Sequence, residues 1–183
     1  MTKRYKAHNL LPDPKPTGLR GWKPFGDVET RMAADGTGIY VRNISGGGGG
    51  RGVDCALPDL PAGDYVYAFI VSSSTYAKGE MVALIKAGGA YISTVRATTS
   101  NGMRAYTGKV TLTQTGCNLL FTPPSVAGGA MSFKRLLVVT REDWERMVTH
   151  NVDYFDGDSY TTGGGDCPSE LYPHASVSLV VAA

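Results

Sequence analysis

The sequence predicts an all-β protein, an antiparallel jelly-roll β-sandwich with one short helix and an extended C-terminal segment. Three observations carry that reading. From residue 38 onward, short runs rich in β-branched and aromatic residues recur between glycines at the spacing of sandwich strands. A single segment has the marks of a helix. The third observation is composition: 42% hydrophobic against 19% charged residues supplies enough apolar surface to fill the space between two sheets. A chain of 183 residues suits one core with an appended piece. The expected division is a sandwich with its lead-in over 1–156 and an extension over 157–183 that ends in an edge strand.

The elements follow in order. After Asn9-Leu10-Leu11, prolines at 12, 14 and 16 keep the backbone extended and unpaired, so a lead-in strand should give way to a loop. Strands are expected at 38–42, 53–57, 65–72, 81–86, 91–98, 109–114, 118–122 and 131–140. The run from Tyr65 to Val71 is apolar on both alternating faces and belongs in the middle of a sheet. Val110 and Leu112 instead alternate with Lys109, Thr111 and Thr113, which places that strand at the surface of the sandwich. Five consecutive glycines, 46–50, read as a flexible loop tip; they lack the Lys-Ser/Thr ending of a phosphate loop. Thr140 can cap a helix whose first turn holds Glu142 and Asp143 and which passes through Trp144 to about Val148. Glycines 163–165 read as a linker or turn. The apolar 177–181 stretch should pair with a sheet edge, so 173–183 is expected to add as a strand and to favour an oligomer or larger assembly.

Charge and motifs restrict function. Eighteen Lys and Arg against 16 Asp and Glu leave a net charge of +2, too small for a nucleic-acid footprint. The basic 1–6 segment is followed by no apolar stretch, so a soluble product without membrane insertion is expected. Cys55, Cys117 and Cys167 are widely spaced and read as buried thiols. His8, His150 and His174 show no ligand spacing, and Asp153, Asp156 and Asp158 depart from a calcium loop's ligand positions. With no nucleophile elbow and no HExxH, the expectation is a protein without catalytic residues, metal or cofactor. The remaining candidates are aromatic, since a ring face can stack on a sugar while a tyrosine hydroxyl hydrogen-bonds. Tyr65, Tyr67, Tyr91 and Tyr106, in or beside strands, are the candidate glycan contacts, whereas Trp22 and Trp144 read as structural.

The order of several segments resembles the carbohydrate-binding-module-like jelly rolls of minor tail proteins from phages that infect actinobacteria. The segments are Asn9-Leu10-Leu11-Pro12-Asp13-Pro14 with Gly21-Trp22, Leu60-Pro61-Ala62-Gly63-Asp64-Tyr65, Ser132-Phe133-Lys134-Arg135-Leu136-Leu137-Val138-Val139, Tyr154-Phe155-Asp156-Gly157-Asp158 and Pro173-His174-Ala175-Ser176-Val177-Ser178. The resemblance implies a virion structural protein of the tail or tail tip, made in the host cytoplasm. Its partners would be other phage structural proteins, and it would contact the host cell-wall glycan. Two alternatives stand beside it: a glycan-binding module for host recognition, and a head decoration or head-fibre protein.

Overall fold

The computed structural model describes residues 8–11, 16, 18–47, 49–73, 75–98, 102–149 and 165–166. Among these the chain forms two five-stranded antiparallel sheets packed face to face, with one helix. The first sheet has the order β2 (Lys23–Phe25), β5 (Gly52–Ala56), β10 (Asn118–Phe121), β7 (Met81–Ala87), β8 (Ala90–Arg96). The second has the order β3 (Val28–Met32), β4 (Gly38–Asn43), β11 (Ala130–Thr140), β6 (Gly63–Ser73), β9 (Gly102–Leu112). Successive strands from β4 onward cross repeatedly between the sheets, which is the jelly-roll path. Two short strands, β1 (His8–Asn9) and β12 (Gly165–Asp166), pair with each other.

All eight expected strands form. β6 lies between β11 and β9 and is covered on both faces at its start, where Tyr65, Val66 and Tyr67 are all buried. β9 is the edge strand with alternating burial, as its sequence indicates, but it begins at Gly102 rather than 109 and pairs with β6 over its whole length. Its first four residues are exposed, so they carry no alternation to read. The stretch expected to be a loop after the lead-in also contains β2 and β3; these short strands flank β5 and β4 at the sheet edges, where half-wetted faces blur the pattern.

The core is filled from both inner faces. Phe121 of the first sheet stacks on Phe133 of the second with ring centroids 4.0 Å apart, and Trp22 packs against both at 6.0 and 5.1 Å. Trp22 is thus structural, and Cys55 and Cys117 are buried, as their sequence positions suggest. Residues 151–164, 167–183 and His150 lie outside the described residues, and with them the expected 156/157 boundary, Cys167, His174 and the 173–183 edge strand. Of the expected 163–165 turn, Gly165 belongs to β12.

β11 serves two neighbours in turn. It pairs with β4 through Lys134, then bulges at Arg135, which has φ 54°. Beyond the bulge the lead-in takes over: the Leu10 N–H donates to Val138 O at 2.8 Å, and the buried Asn9 side chain donates to Leu136 O (3.1 Å) and accepts from Val138 N (3.2 Å). Past Thr140 the chain enters helix α1 (Arg141–Thr149), where the Asp143 N–H donates to the Thr140 hydroxyl, the expected cap. The helix contacts β11 and β6 and buries Met147, so it covers one end of the second sheet's outer face, while β1 lies along the free edge of β11.

The glycine run is a correction. Gly46, Gly47, Gly49 and Gly50 all have positive φ, and the first two are anchored rather than loose. The Gly47 N–H donates to Ser125 O at 2.7 Å. Gly46 N donates to Asn43 Oδ1 at 3.0 Å, while Asn43 Nδ2 reaches Gly47 O, Pro124 O and Ser125 O.

Candidate functional site

Among the described residues no helix packs on the outer face of the first sheet, and that face holds a depression of about 410 Å³ that crosses all five strands. Antiparallel partners share a face, so the register sets its lining. Phe25 and Asp54 come from β2 and β5, Asn118 and Leu120 from β10, Lys86 from β7 and Tyr91 from β8. Gly50, Gly88, Gly89 and Gly116 line its rim. The two rings stand on opposite edge strands, four strand spacings of roughly 4.8 Å apart, or about 19 Å across the sheet.

Between the rings the lining is polar over an apolar base. Asn118 Nδ2 donates to Asp54 Oδ2 at 2.6 Å, which orients the amide and the carboxylate together. Leu120 is buried beside Leu84, its cross-strand partner. Lys86 is exposed and stands opposite Tyr91. Tyr91 is 57% exposed. This combination of ring faces at the ends and fixed donors and acceptors between them suits a flat, hydroxylated, uncharged or weakly charged ligand.

A register shift is what turns Tyr91 outward. In a regular strand Tyr91 and Ser93 would share a face. Here β8 slips against β7 between Ile85 and Lys86, so Ser93 pairs with the inward Ile85 while Tyr91 pairs with the outward Lys86.

The four tyrosines expected at a ligand are not brought together. Tyr67 is fully buried, its hydroxyl 2.9 Å from the Ser93 hydroxyl; burial pushes its pKa up, and that hydrogen bond opposes the rise. Tyr106 is buried and stacks on Phe69 at 5.8 Å. Tyr65 is buried, with its hydroxyl donated to Pro61 O at 2.8 Å, and burial raises its pKa. It touches an open groove beside Thr140 and Arg141, on the opposite sheet from Tyr91. Phe25, Asp54, Lys86 and Asn118 were not singled out in the sequence. A signal existed for two of them: Asp54 interrupts Val53 and Cys55, and Asn118 leads an apolar run, as outward positions of a two-residue period do.

Among the described residues no group of three or more His, Cys, Asp or Glu side chains could hold a metal ion, and no helix is long and apolar enough to cross a membrane.

No protein-family model matches the chain, and no curated protein matches it in sequence. Solved structures resemble it in fold. The second N-terminal cellulose-binding domain of Cellulomonas fimi β-1,4-glucanase C is 16% identical over 76% of this chain and 98% of that one, with a TM-score of 0.50. The CBM22-1 xylan-binding domain of Paenibacillus barcinonensis Xyn10C is 11% identical over 76% of this chain and 96% of that one, at 0.53. The enzymatically active domain of bacteriophage CBA120 tailspike protein 4 is 12% identical over 71% of this chain but only 21% of that one, at 0.52. The fold is therefore the β-sandwich of carbohydrate-binding modules, and at these identities the likeness speaks of the fold alone.

Proposed function

We propose that this chain is a non-catalytic glycan-binding sandwich, and that it serves as a tail or tail-tip protein of a phage at the host surface. The observation that carries the glycan reading is the open five-strand depression with Phe25 and Tyr91 at its ends and the Asp54–Asn118 pair between them. Tyr91 is the ligand-contacting tyrosine of the four; Tyr65, Tyr67 and Tyr106 build the core. The fold's use in cellulose-binding and xylan-binding domains supports this reading.

The tail assignment is supported by the order of segments in the sequence and by the fold's occurrence in a phage tailspike. A glycan array with the full chain, repeated with Tyr91→Ala and Phe25→Ala, tests the binding. Each substitution should weaken a positive signal roughly tenfold, about 1.5 kcal/mol, with the fold unchanged. Glycan binding that neither substitution moves would place the site elsewhere. Antibody labelling of particles separates tail from head, and label on the capsid would favour a decoration role.

A further inference from the structure

Where the Gly46–Gly50 loop ends, the same sheet carries a second, narrower cleft of about 200 Å³, room for about seven waters. Arg51 lines it from the β5 side, Glu80, Met81 and Arg96 line it from the β7–β8 side, and Pro123 and Ser125 follow β10 between them.

Each arginine is held by a single backbone bond. Arg51 Nη1 donates to Gly47 O and Arg96 Nη1 to Gly79 O, both at 2.8 Å. A guanidinium has five N–H donors, and neither of these two makes an ion pair among the described residues. Glu80 is the carboxylate of the cleft, and it is turned to the loops. Its Oε2 accepts from Ala77 N at 2.8 Å, and its Oε1 accepts from the Ser125 N–H at 3.2 Å and from the Ser125 hydroxyl. Two guanidiniums against one carboxylate leave the lining one positive charge in excess.

We propose that this cleft binds the carboxylate of an acidic sugar. Planar guanidinium forks from facing walls match a carboxylate's two oxygens, and an excess of one charge suits a monoanion better than a doubly charged phosphate. The placement joins it to the depression described above: Gly50 lines that depression, while Gly49 and Arg51 line the cleft. A glycan lying over Phe25 would bring an acid substituent toward Arg51. The inference deepens the glycan reading and rests on it.

Amide-resolved NMR of the full chain, titrated separately with glucuronic acid, glucose and inorganic phosphate, tests it. Glucuronate should shift the amides of Gly47, Gly49, Arg51 and Arg96 where glucose does not, more weakly as salt rises. Arg96→Gln should weaken that response at least about tenfold, with Arg51→Lys as the milder variant if Arg51→Gln disturbs the loop. Equal responses to glucose and glucuronate, a response to phosphate alone, or no response at these amides overturns the proposal. Tyr91→Ala keeps the two readings apart, because it should leave the glucuronate response at the cleft intact. Glucuronate binding there with no oligosaccharide bound over Tyr91 would sink the five-strand site and keep the cleft.

Discussion

The ring of Tyr67 lies across the bare Cα of Gly108, its cross-strand partner. A Cβ at Gly108 would overlap the Tyr67 ring, and the ring is not free to leave. Its hydroxyl meets Ser93 on β8, and the Ser93 hydroxyl donates to Lys109 O on β9 at 2.7 Å. One side chain thereby ties β6 and β9 of the second sheet to β8 of the first. Gly108→Ala should cost about 2–3 kcal/mol in a denaturant titration, as overpacking of a buried site does. A loss below about 0.5 kcal/mol would mean that the ring moves aside freely.

Asn9 closes the β11 bulge by bonding both Leu136 O and Val138 N. In Asn9→Ala those two buried backbone groups lose their partner, at a cost of about 2–3 kcal/mol. Amide exchange is the more specific check: Val138 should lose protection while Phe133, on the far side of the bulge, keeps it.

The glycine loop should resist shortening. Gly46 has φ 78°, and a Cβ there would stand 3.0–3.3 Å from Ala127. Gly46→Ala should cost about 1–2 kcal/mol from the left-handed backbone alone. Deleting Gly46 and Gly47 should cost more than about 2 kcal/mol, because it removes the Asn43 and Ser125 anchors. Thermal unfolding that leaves the deletion variant unchanged would restore the loop to a loose tip.

Asp35 accepts from Lys134 Nζ at 2.8 Å and from Thr37 N at 3.0 Å. The Lys134 hydrogen bond, then those from Thr37, lower its pKa from 3.8 to about 2. A carboxyl depressed in the fold stabilises it above the ordinary carboxylate range, and that contribution fades as pH falls from about 3.8 to about 2. The pair is exposed, so the effect should be read from the titration itself rather than from stability. NMR should place Asp35 near 2, and Lys134→Gln should move it up; an unmoved midpoint would assign the shift to Thr37.

The sequence by itself determined the class of fold, eight of the strands and the capped helix, because two-residue alternation, glycine punctuation and a Thr140 cap are local signals. It also marked tyrosines in strands as the side chains to watch. Which tyrosine faces solvent was decided by tertiary structure: Tyr67 and Tyr91 both sit in β-rich runs, and only the slip between Ile85 and Lys86 sends Tyr91 out. The Phe25–Tyr91 face likewise joins strands 66 residues apart, through a strand order that the jelly-roll path imposes. A residue's face depends on its partner strand's register, and that register is settled by contacts distant in sequence.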